Sequence, residues 1–86
     1  MTTEDIKQKA YLLSYKYKDI PDLALFTDEF RGNVEFSFYL KTESGMHDIY
    51  HDFVMQGETD ESIDKAFAIA DTRLGKIASY YNIRLS

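Results

Sequence analysis

The run Val34-Glu35-Phe36-Ser37-Phe38-Tyr39-Leu40-Lys41 alternates apolar and polar side chains. Successive side chains of an extended chain point to opposite faces. A period of two therefore describes a strand with one apolar face, Val34, Phe36, Phe38 and Leu40, and one wetter face, Glu35, Ser37, Tyr39 and Lys41. Such a strand needs neighbours at its edges and a layer over its apolar side.

The neighbours are read outward from this run. Arg31-Gly32-Asn33 is a turn, preceded by apolar residues within 23–30. A three-residue loop sets Phe30 opposite Val34, Phe26 opposite Phe38 and Ala24 opposite Leu40. It also sets Asp28 opposite Phe36, so a short or bulged first strand is expected. A loop of Gly32-Asn33 alone would put Glu29 against Phe36 and Thr27 against Phe38, a poorer apolar match. Downstream, a four-residue loop Glu43-Ser44-Gly45-Met46 pairs Leu40 with Ile49, Phe38 with His51, Phe36 with Phe53 and Val34 with Met55. Three antiparallel strands are thus expected within 23–55.

Helices flank them. Over 3–18, Ile6, Ala10, Leu13 and Tyr17 recur at helical spacing. Thr2 or Thr3 can cap the start, and Glu4 and Asp5 suit the positive end of the helix dipole. Ile20-Pro21-Asp22 ends that helix. From Asp60 to Tyr81, Ile63, Phe67, Ala70, Leu74, Ile77, Ala78 and Tyr81 form a second stripe. Gly75 weakens it by about 1 kcal/mol relative to alanine, so it either admits a close neighbour or marks a bend. The expected fold is α+β, a two-layer α-β-β-β-α domain over 1–86. Its three-stranded antiparallel sheet has both helices on one face.

Composition agrees. The 86 residues are 44% hydrophobic, with 7 Tyr, 6 Phe and no Cys. That suits one aromatic core and excludes a disulfide staple, a thiolate metal site or a cysteine nucleophile. Met1-Thr2-Thr3-Glu4-Asp5 has no basic region leading into an apolar run, and no stretch has the ~20 apolar residues that span a bilayer. A cytoplasmic location without membrane attachment is the expectation. The net charge is -5, and the acids concentrate in 19–58, where Arg31 and Lys41 are the only bases. Such a segment repels phosphate backbones and attracts basic surfaces, although solubility alone explains it equally well.

The register carries a functional expectation. The sheet face turned from the helices should show Glu35, Ser37, Tyr39 and Lys41 beside Asp48, Tyr50, Asp52 and Val54. Tyr39 would lie opposite Tyr50, and Lys41 opposite Asp48. Tyrosine is a rigid, hot-spot-forming contact, and carboxylates around it can pair with lysine or arginine. Glu35, Tyr39, Asp48, Tyr50 and Asp52 are therefore the candidate partner-binding residues.

Other chemistries are weaker. Tyr15-Lys16-Tyr17-Lys18 alternates aromatics and bases as single-strand binders do, yet helix neighbours splay apart and Tyr17 belongs to the core stripe. His47 and His51 would share a zinc ion on a helix, but on a strand they stand about 13 Å apart. His51 is expected toward the core, beside Phe38. Ser37 and Ser44 have no assignable base, and the four glycines form no phosphate loop, so no catalytic, metal or cofactor site is expected.

The α-β-β-β-α order is that of double-stranded-RNA-binding domains, which place lysines at the start of the last helix. Here Glu58, Asp60, Glu61 and Asp64 stand there, so the likeness is one of element order, and the charge argues against that activity. The leading expectation is a non-catalytic acidic protein that occupies a basic site on a partner protein. Phage or mobile-element inhibitors of host nucleic-acid enzymes, some imitating the charge of DNA, are of this size and charge. The alternatives are a self-associating or assembly-chaperone protein, dimeric through an edge strand and Gly75, and nucleic-acid binding through the first helix.

Overall fold

The computed structural model describes residues 1–83. Its elements are α1 (Thr3–Lys16), β1 (Leu23–Phe30), β2 (Asn33–Thr42), β3 (Gly45–Val54) and α2 (Asp60–Tyr80). The strands form one antiparallel sheet in the order β1-β2-β3. Both helices lie on one face: α1 packs on β1 and β2, and α2 on β3. The expected α+β architecture is observed.

Local chemistry explains the boundaries. The Thr2 hydroxyl accepts the Asp5 backbone N–H, and the Asp5 carboxylate accepts the Thr2 N–H, closing a capping box at the start of α1. Those hydrogen bonds, the backbone one foremost, hold the Asp5 carboxyl below its ordinary value. Thr59 caps α2 by accepting the Ser62 N–H.

The core forms where the alternation of β2 says it should. Val34, Phe36 and Phe38 are fully buried, with Ile6 and Ala10 of α1 and Ile63, Phe67, Ala70 and Leu74 of α2 around them. Phe36 stacks on Phe67 with ring centroids 4.6 Å apart, and Phe38 meets Phe36 edge-on at 6.0 Å.

Two registers differ from expectation. The β1–β2 connection is a two-residue turn of Arg31 and Gly32, both with positive φ (52° and 80°), so Phe30 pairs with Asn33. This primed turn matches the right-handed twist of the strands it joins. Leu25 then lies opposite Phe38 and Leu23 opposite Leu40. The inward residues of β1 are the leucines, not Ala24, Phe26 and Phe30, and Phe26 and Phe30 are left exposed. A side chain at Gly32 would also come within 3.1 Å of Gln56, whose N–H is held by Asn33 Oδ1 at 2.7 Å.

The β2–β3 connection is also tight, with Thr42 opposite Gly45. Up to Asp48 the outward residues of β3 are as expected. The ladder then shifts opposite Phe38 and Tyr39, and Ile49 is the extra residue of a bulge. Ile49 and Tyr50 both turn toward the helices, and every later residue changes face. Phe38 therefore pairs with Tyr50, Phe36 with Asp52 and Val34 with Val54, instead of His51, Phe53 and Met55. Arg73 of α2 holds the bulge: its Nη1 donates to the Ile49 carbonyl at 3.0 Å, and its guanidinium lies 5.2 Å from the Tyr50 ring centre.

Gly75 admits a close neighbour. A Cβ there would stand 3.3 Å from the Tyr17 hydroxyl, and Tyr17 is only 2% exposed. That hydroxyl donates to the carboxylate of Asp71 and lies 3.2 Å from its carbonyl, so it has little room to yield. Burial first, and Asp71 second, push the Tyr17 phenol up. The glycine is thus occupied by packing within the chain, which removes it from the expected dimer seam. Gly75→Ala should therefore fail to stabilise the protein by the about 1 kcal/mol of helix propensity. In a Tyr17→Phe background the same change should recover most of it. A double-mutant cycle by urea denaturation measures the coupling; additive effects would mean that the two residues do not compete for space.

Candidate functional site

The sheet face away from the helices has no layer over it. From β1 it carries Ala24, Phe26, Asp28 and Phe30; from β2, Glu35, Ser37, Tyr39 and Lys41; from β3, Met46, Asp48, His51 and Phe53, as the pairing and the bulge require. Phe26, Phe30, Met46 and Phe53 are exposed large apolar side chains. Polar residues normally fill the open face of an antiparallel sheet. Here the apolar groups stand among carboxylates.

Of the five candidate binding residues, Glu35, Tyr39 and Asp48 share this face. Tyr50 and Asp52 do not. The bulge at Ile49 turns both toward α2, while the tight β2–β3 turn sets Tyr39 opposite Asp48 and Lys41 opposite Met46. Tyr50 is half-buried against Phe36, its hydroxyl donates to Asp52 Oδ2 at 3.3 Å, and burial, then Asp52, pushes its phenol up. These two residues lie on the helix side of the sheet and are withdrawn from the open face.

His51 is corrected in the opposite sense. It lies on the open face opposite Ser37, with Nε2 2.7 Å from Glu35 Oε2. Sequence reasoning missed Phe26, Ser37, Met46 and His51 as members of one site. The signal available was that β1 has apolar residues at both parities, Leu23 and Leu25 against Phe26 and Phe30. Only one set can be covered by a single helix layer.

These side chains enclose a shallow depression of roughly 350 Å3 lined by Phe26, Glu35, Ser37, Tyr39, Met46, Asp48 and His51. Ser37 is its floor and is 9% exposed. Asp28 lies directly opposite Glu35, two carboxylates on neighbouring strands.

Several of the remaining charges pair with one another around the helix layer. Lys9 pairs with Asp64 at 3.2 Å, Lys16 with Asp71 at 3.1 Å, and the Met1 amine with Asp60 at 2.6 Å. Lys7 bonds Glu29 at 2.9 Å, which raises the lysine and lowers the carboxyl. The Tyr15-to-Lys18 segment is thereby reduced as a nucleic-acid site, since Tyr17 is buried and Lys16 is engaged. Asp28 and Asp48 of the open face have no ion-pair partner among the described residues.

Chemically, Ser37, His51 and Glu35 share the face, yet His51 places Nε2 on Glu35 and no hydrogen bond joins Ser37 to His51 among the described residues. His47 pairs opposite Leu40, on the other side of the sheet from His51. No group of three metal-ligating side chains occurs among the described residues. No helix among them is long and apolar enough to cross a membrane. Compared with protein-family models, curated proteins and solved structures, the chain matches none.

Proposed function

We propose that this chain is a non-catalytic protein-binding domain that sets its open sheet face against a basic surface of a partner protein. The observation that carries this reading is the combination on one uncovered face of exposed Phe26, Phe30, Met46 and Phe53 with the carboxylates of Asp28, Glu35 and Asp48. Clustered exposed apolar groups mark interaction surfaces. Carboxylates among them select a cationic partner and speed the encounter. Enzymes that act on nucleic acids present basic clefts of this kind, and inhibition by filling such a cleft is the specific form of the reading.

The same apolar groups favour a second reading, association of two copies through this face. A symmetric pairing would bring the Asp28, Glu35 and Asp48 carboxylates of both copies into one interface, and like charges brought together cost several kcal/mol. The basic partner is therefore preferred, and sedimentation should show a monomer at micromolar concentration.

Nona-arginine serves as a probe of the basic-partner reading. In an amide-resolved NMR titration its addition should shift Phe26, Glu35, Ser37, Asp48 and His51. The shifts should shrink as ionic strength rises and the Debye length falls from about 10 Å toward 3 Å. Shifts confined to Asp60, Glu61 and Asp64 on α2, or none, would reject the open face as the docking surface.

A further inference from the structure

A small residue in the middle of a sheet face leaves a pit when its neighbours are large. Ser37 is central on β2. Glu35 and Tyr39 flank it along the strand, Phe26 lies opposite on β1 and His51 opposite on β3. Met46 and Asp48 extend the rim. The pit thus has aromatic and thioether walls, carboxylates at its rim and a hydroxyl at its floor.

Three features point to a cation as its occupant. Ser37 is nine-tenths buried, and its hydroxyl, which is not a buried orphan, opens onto the pit, where an incoming donor can bond it. Glu35 Oε2 is taken by His51 Nε2, which steers the carboxylate and leaves Oε1 free. Asp28 stands directly opposite Glu35, an arrangement that costs stability in an isolated sheet and that an incoming positive charge relieves.

We propose that this pit holds the guanidinium of an arginine side chain of the partner, so that arginine, and not lysine, anchors the basic surface. The proposal rests on the open face being the docking surface. A guanidinium is flat, stacks on aromatic rings such as Phe26 and Tyr39, and presents five donors in a fixed fork. Those donors can reach Glu35, Asp48 and the Ser37 hydroxyl together. A lysine ammonium offers three donors at one point, is more strongly hydrated and fits a walled slot less well.

Calorimetric titration of the full chain with nona-arginine and nona-lysine, at one salt concentration, tests this. Arginine should bind roughly tenfold more tightly, the worth of one charge-assisted hydrogen bond that lysine cannot make. Asp48→Asn, at an exposed position, should weaken arginine binding and narrow the gap. Ser37→Leu fills the pit and should bring the two peptides to equal affinity, with circular dichroism checking its fold. Equal affinities in the unmodified protein, or a gap that Asp48→Asn leaves intact, overturn the arginine anchor while the basic-partner reading stands. If neither peptide binds, both fall.

Discussion

Phe36→Ala should destabilise the protein by about 3–5 kcal/mol, the cost of removing a buried phenylalanine and leaving a cavity. Phe36 is fully buried, stacked on Phe67 at 4.6 Å, edge-on to Phe38 and beside Tyr50. Among the described residues no other side chain joins so many rings of this core. A domain of this size has a total stability of roughly 4–13 kcal/mol by the usual per-residue scaling. The variant should therefore approach the limit of folding, seen as a large fall in the urea midpoint. Phe26→Ala is the matched control. Its ring is on the open face and 47% exposed, so the change should stay within about 0.5 kcal/mol. A loss for Phe26→Ala as large as that for Phe36→Ala would mean that β1 faces the other way.

Replacing Asp28, Glu35 and Asp48 together by lysine should abolish binding of nona-arginine while the domain stays folded. The three carboxylates share the uncovered face, and among the described residues only Glu35 is hydrogen-bonded to another side chain, His51. Reversal converts attraction into like-charge repulsion worth several kcal/mol, a loss on the order of a hundredfold or more in affinity. Glu4→Lys, Glu61→Lys and Asp64→Lys together, at exposed positions on the helix layer, change the net charge by the same amount and should cost far less affinity. Calorimetry at low salt reads both. If the helix-layer reversal weakens binding as much as the open-face reversal does, net charge alone attracts the peptide and the face has no special role.

The two experiments separate two uses of the same sheet. One face is spent on folding, against α1 and α2. The other is free of that duty, and its retained phenylalanines and carboxylates do little for stability where they stand. Opposed carboxylates at Asp28 and Glu35 even work against it. Residues that cost stability without packing benefit are where a binding role is most economically sought.

Much of this was determined by the chain locally. The alternation of residues 34–41 is unambiguous, so β2 could face only one way. The stripes of Ile6, Ala10 and Tyr17, and of Ile63, Phe67, Ala70 and Leu74, named their buried sides correctly. Glu35 and Tyr39 were therefore placed on the open face from sequence alone, and Asp48 reaches the same face although it stands opposite Tyr39 and not, as expected, Lys41. The parity of β1 was not local information, because apolar residues occupy both of its faces. The primed turn at Arg31-Gly32 and the cover of α1 chose Leu23 and Leu25 over Phe26 and Phe30. Nor was the bulge at Ile49 local. Its freed carbonyl is taken by Arg73, 24 residues later on another element, and without that donor the regular ladder would have kept Tyr50 outside. Side-chain direction along a strand follows from pattern only while the period of two is unbroken. Where it breaks, the group that satisfies the displaced backbone decides, and that group arrives with the tertiary fold.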